Sequence, residues 1–119
     1  MKILICGDRN WYDENEICCR LLQLNDKEDI IITGGARGAD SIANKIATNL
    51  KFKTIVKMAD WKKYGRSAGP IRNREMLALK PDLVIAFHNN IEQSKGTKDC
   101  ITAATKLNIP VEIIKGTPF

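Results

Sequence analysis

The sequence predicts an α/β fold, a Rossmann-like three-layer sandwich in which about five mostly parallel strands carry helices on both faces. Three observations lead there. Short apolar runs alternate along the chain with segments of helical spacing, as in a repeated βα unit. The first of these runs, Lys2 to Cys6, is bounded by Gly7 and has the near-continuous apolar character of a strand buried on both faces of a parallel sheet. Polar loops follow the strands, and open α/β sheets bind their ligands in such loops.

Taken in order, Lys2 to Cys6 is the first strand, and Gly7 opens a polar loop through Trp11. The first helix runs from Glu14 to Leu24 on an apolar face of Ile17, Leu21, Leu22 and Leu24, with Asp13 as its cap. Asp29 to Thr33 is the second strand. It ends in Gly34-Gly35-Ala36-Arg37-Gly38 and enters a helix from Asp40 to Leu50, apolar at Ile42, Ala43, Ile46, Ala47 and Leu50. Phe52 to Lys57 is the third strand, followed by a long polar connection in which Pro70 is expected as the first residue of a helix. Asp82 to Phe87 is the fourth strand, and a loop from His88 to Thr97 precedes a helix ending near Leu107. Val111 to Ile114 closes the series, so residues 1–119 read as one domain. Right-handed crossovers bring the loops beginning near Gly7, Gly34, Met58 and His88 to one rim of the sheet.

Composition narrows the function classes. Hydrophobic content of 44% and charged content of 28% are ordinary for a globular protein, and no apolar run is long enough to span a membrane. The N-terminus lacks a signal-peptide h-region, so the expected location is the cytoplasm. The four cysteines, Cys6, Cys18, Cys19 and Cys100, have no metal-ligand spacing and read as reduced core hydrophobes. With a single histidine, neither a metal site nor a cofactor is expected. A net charge of +5 favours a phosphorylated small molecule or a nucleic acid as partner.

Three stretches carry the chemistry. In the glycine loop, Gly34, Gly35 and Gly38 can aim backbone N–H groups at a phosphate while Arg37 clamps it. Asp40 either caps the following helix or accepts a ribose hydroxyl. The loop follows the second strand and no Lys-Ser/Thr pair succeeds it, so it is neither a Walker A loop nor a dinucleotide fingerprint. The second stretch gathers Trp61, Tyr64, Arg66, Arg72, Asn73 and Arg74, aromatics to stack a base and cations to hold phosphates. Arg72 to Arg74 are expected in the first turn of their helix, where cations are disfavoured unless an anion is bound. In the third, Gly96 and Thr97 stand at a helix start, Thr97 serving as a cap or as a ligand contact. His88 reads as structural for want of a partner. Asp8, Asp60 and Glu75 are the carboxylates nearest the rim, and no pair of them has convincing acid–base spacing. Asp8 joins Asp40, Trp61 and Tyr64 as the groups expected at the base or ribose.

The runs Ile-Thr-Gly-Gly-Ala-Arg-Gly-Ala-Asp (32–40), Ala-Asp-Trp-x-x-Tyr-Gly-Arg-x-Ala-Gly-Pro-x-Arg-Asn-Arg-Glu-Met (59–76) and Lys-Gly-Thr (95–97) resemble the YspA-related branch of the SLOG superfamily. The resemblance implies a Rossmann-like domain that binds a nucleotide or nucleotide-derived ligand, such as an ADP-ribose-like signal, in bacteria or their phages. It also implies two alternatives, a nucleotide N-glycosidase like the LOG phosphoribohydrolases or single-stranded DNA binding like DprA. Pairing of two copies through helices flanking the sheet is a further implication. The LOG pattern places a catalytic Glu where this chain has Cys100, leaving Arg72, Arg74 and Asp99 as the weak catalytic candidates.

Overall fold

The computed structural model describes residues 1–25 and 27–116. Five strands, β1 (Lys2–Gly7), β2 (Ile30–Thr33), β3 (Lys53–Val56), β4 (Leu83–Phe87) and β5 (Val111–Ile114), form one sheet in the order β3-β2-β1-β4-β5. Every adjacent pair is parallel. The helices are α1 (Glu14–Leu22), α2 (Ala39–Asn49), α3 (Trp61–Tyr64), α4 (Ala68–Ala78) and α5 (Gly96–Lys106). This is the expected α/β Rossmann-like sandwich.

Alternation along β1 divides the core in two. Ile3 and Ile5 face one layer with Ile17 and Leu21 of α1 and Ala39, Ala43 and Ala47 of α2. Leu4 and Cys6 face the other with Met76 and Leu77 of α4 and Cys100, Ala103 and Ala104 of α5. Each fully buried large aliphatic contributes roughly 1.5–3 kcal/mol by leaving water, which makes β1 the main anchor of the fold. The chain passes outward from β1 to β2 and β3, then crosses to β4 and β5. Strand order therefore reverses between β1 and β4, and a crevice opens where the following loops part in opposite directions.

Several local expectations change. Leu22 is 63% exposed and falls outside the α1 apolar face. Cys19 is exposed and Cys18 half-buried, whereas Cys6 and Cys100 are buried in the core as expected. The polar connection after β3 contains α3, capped by Asp60, whose Oδ1 accepts from the Lys63 N–H at 3.1 Å. A 3₁₀ turn over Gly65–Ser67 carries the chain from α3 into α4, which begins at Ala68. Pro70 is thus the third residue of α4, a place it tolerates because the first-turn N–H groups lack intrahelical acceptors. Arg72 to Arg74 lie beyond the first turn, so the expected clash between these cations and the helix dipole does not arise.

Candidate functional site

The crevice between β1 and β4 holds a cavity of about 370 Å³. Its walls come from Cys6, Gly7 and Asp8 at the end of β1, His88 after β4, Arg72, Asn73 and Met76 of α4, and the Gln93–Thr97 segment. A second cavity of about 410 Å³ is lined by Gly34 to Arg37, Met58, Ala59 and Trp61. Arg9, Ala36 and Arg72 belong to both, so the two adjoin. A larger void of about 710 Å³ lies elsewhere, between α4 and α5 near Leu77, Leu107 and Ile109. Polar groups from several loops converge at the rim, which makes it the candidate site.

The glycine loop is braced from within. Asp40 is the second residue of α2, and its Oδ2 accepts from the N–H groups of Gly34 at 3.2 Å and Ala36 at 3.3 Å. The carboxylate therefore reaches back to the loop, and Gly38 stands at the N-cap without a side-chain bond. Arg72 Nη1 donates to the Gly34 carbonyl at 2.7 Å and Nε donates to Asn73 Oδ1 at 3.1 Å. Burial pushes the Asp40 carboxyl up to about 6, and the Arg72 charge and the two loop bonds only partly oppose it. A Cβ on Gly34 would lie 2.8 Å from Asp40 Oδ2. Gly38 has φ +78° against the backbone of Asp8 and Arg9, which leaves no room for a side chain. With two amides held by Asp40, the N–H groups of Gly35, Arg37 and Gly38 donate to no acceptor among the described residues. Arg37 and Arg9 are exposed beside them.

On the far wall, Thr97 is buried inside the first turn of α5. Its Oγ1 donates to the Gly7 carbonyl at 3.1 Å and its N–H donates to Ser94 Oγ at 3.0 Å. Ser94 therefore supplies the capping acceptor expected of Thr97. Asn73 Nδ2 donates to the Gly96 carbonyl at 3.2 Å and to Asp99 Oδ2 at 3.0 Å. Arg74 grips both oxygens of Asp99, at 2.7 and 3.1 Å. Burial alone would raise the Asp99 carboxyl, but hydrogen bonds from Arg74 and Asn73 and the Arg74 charge together hold it below its ordinary value. Arg74 lines the α4–α5 void, so this pair ties two helices together away from the rim cavities. Arg66 and Tyr64 are exposed and line neither rim cavity, whereas Trp61, 53% exposed, lines the second.

Arg9 carried no signal in the sequence, His88 read there as structural, and Trp11 read as part of a polar loop. Trp11 is buried and packs edge-on against Phe87 with ring centroids 5.6 Å apart. It anchors the loop that carries Asp8, whose N–H donates to the Phe87 carbonyl and whose carbonyl accepts from Trp11 and Ala39. His88 is buried, its Nδ1 accepting from the Asn90 N–H at 2.9 Å. Among the described residues no group of three or more His, Cys, Asp or Glu could hold a metal ion, and no helix is long and apolar enough to cross a membrane.

Comparison with known proteins agrees with this architecture. The chain superposes over 98% of its length on the X-ray structure of DNA processing protein A (DprA) from Streptococcus pneumoniae, with a TM-score of 0.76 and 19% identity. It spans 50% of that chain, and the likeness shows a shared fold. Gene 61 protein of Mycobacterium phage D29 is 35% identical over 118 residues, covering 92% of this chain and 93% of the phage protein. The model of the YspA, cpYpsA-related SLOG family matches residues 1–64. With more than half of the sequence matched by that model and a relative aligned along nearly all of it, the chain belongs to the YspA, cpYpsA-related SLOG family.

Proposed function

We propose that the rim cleft binds a nucleotide or nucleotide-derived ligand, to sense or sequester it. One observation carries the reading: Arg9, Arg37 and Arg72 line adjoining cavities at the strand-order switch point, next to loop amides that no group among the described residues occupies. Phosphates fit between the arginines and the amides of Gly35, Arg37 and Gly38. Trp61 offers a stacking face for the base at the outer end of the second cavity. Two cavities that meet at Arg9 and Arg72 suit a ligand with two ends joined through phosphate, as in an ADP-ribose-like molecule. Membership of a SLOG family and the DprA-like fold support nucleotide-related or DNA-binding roles in general terms. Binding is favoured over hydrolysis because Arg74 and Asp99 are engaged with one another and Arg72 braces the glycine loop.

Thermal unfolding with a panel of nucleotides, ADP-ribose and a single-stranded oligonucleotide tests this. A ligand at a hundredfold excess over its Kd stabilises the native state by about 2.7 kcal/mol, which is several degrees in Tm for a domain of this size. The expected result is a rise for one or more nucleotides in the wild type and a smaller one in Arg37→Ala. A rise confined to the oligonucleotide would favour DNA binding, and equal rises in the two proteins would remove Arg37 from the site.

A further inference from the structure

Two polar side chains face each other across the switch point without touching. Asp8 follows β1 and His88 follows β4, and the residues before them, Gly7 and Phe87, are register partners in the sheet. Asp8 Oδ2 and His88 Nε2 are 4.0 Å apart, beyond hydrogen-bond reach, and both residues line the inner cavity. Neither is loosely held. Asp8 Oδ1 accepts from the Asn10 N–H at 2.9 Å, and the Asp8 backbone is bonded to β4 and to the start of α2. The His88 ring is 11% exposed, and its Nδ1 accepts from the Asn90 N–H at 2.9 Å. An imidazole accepting at Nδ1 carries its proton on Nε2. The pair thus presents one acceptor, Asp8 Oδ2, and one donor, His88 Nε2–H, neither with a hydrogen-bond partner among the described residues.

A group that donates and accepts through a single atom fits this gap, and an oxygen about 2.8 Å from each atom would satisfy both. A hydroxyl meets that requirement. A phosphate has no proton to give the carboxylate and would be repelled by it, and an ammonium would suit Asp8 while opposing the Nε2–H. Arg9 and Arg72 line the same cavity, so it offers cations for a phosphate as well as a place for a neutral hydroxyl. We infer that Asp8 and His88 form a hydroxyl-reading subsite that takes a ribose hydroxyl and selects ribonucleotides over their deoxy forms. This inference rests on the nucleotide-binding reading and adds the sugar class to it.

The test is calorimetric titration of the four ribonucleoside 5′-diphosphates and their 2′-deoxy and 3′-deoxy forms into the wild type, Asp8→Asn and His88→Gln. In the wild type, removing the recognised hydroxyl should weaken binding about ten- to a hundredfold, as for a lost hydrogen bond to a charged group. Asp8→Asn keeps an oxygen for the Asn10 N–H and replaces the second acceptor with a donor. It should weaken the ribonucleotide, leave the deoxy form unchanged and bring their ratio close to one. Equal wild-type affinities for all three sugars would overturn the hydroxyl subsite and leave nucleotide binding standing. Binding of none of them would overturn the subsite, and would overturn nucleotide binding too if ADP-ribose gave no thermal shift either; the wild-type comparison is decisive even if a variant fails to fold.

Discussion

Replacing Asp40 with asparagine tests how the glycine loop is held. Burial raises this carboxyl from its ordinary 3.8 to about 6 in the native state. For an acid raised in this way, the folded chain binds the proton more tightly than the unfolded chain, so stability falls as pH rises between those two values. Above them the buried charge costs about 3 kcal/mol relative to the protonated form. Asparagine has no such proton to lose, and its Oδ1 can still accept from Gly34 and Ala36. The stability of Asp40→Asn minus that of the wild type should therefore increase by about 3 kcal/mol between about pH 3 and pH 7. Asp29 and Asp99, both held below their ordinary values, titrate in the two proteins alike and cancel in the difference. Urea unfolding followed by tryptophan fluorescence across that range gives the curve. A difference that stays flat, or one that shrinks as pH rises, would show instead that the Arg72 charge and the loop bonds match or outweigh burial.

Two further substitutions probe the walls of the cleft. Gly34→Ala places a Cβ against the Arg72 guanidinium and 2.8 Å from Asp40 Oδ2, and should cost about 1–3 kcal/mol in urea unfolding. A neutral result there would mean that the loop and Arg72 shift freely. Thr97→Val keeps the side-chain shape but deletes the bond to the Gly7 carbonyl, with an expected loss of about 1–2 kcal/mol. Unchanged stability would show that this contact does not fasten α5 to β1.

β1, β2 and β4 were legible because each is a short apolar run, and Ile3 to Cys6 is buried on both faces as such a run requires. The glycine loop was legible too, since glycines crowded between a strand and a helix imply close approach, which Gly34 and Gly38 display. Asp40 was harder to place. Its type suits a cap, but its actual partners depend on the loop doubling back, and sequence spacing does not reveal that. The start of α4 was misplaced because proline at the first helical position is a common pattern, while any first-turn position lacks the same intrahelical bond. His88 seemed partnerless because Asp8 is 80 residues away in the chain. Only the pairing of β1 with β4 brings them together, and strand order is a property of the whole sheet. Trp11 was hidden among polar neighbours for the same reason, its ring contact being Phe87 on the adjacent strand.

Titrating the nucleotide that stabilises the protein most into uniformly ¹⁵N-labelled protein, and following backbone amide shifts, reads out whether the switch-point cleft or another surface receives the ligand. Binding in the cleft predicts saturable shifts concentrated at Gly7 to Arg9, Gly34 to Gly38, His88 and Ser94 to Thr97, with the amides of Gly35, Arg37 and Gly38 among those that move most. Shifts confined to the α4–α5 groove around Leu77 and Leu107, or no saturable shift at the rim, would contradict it.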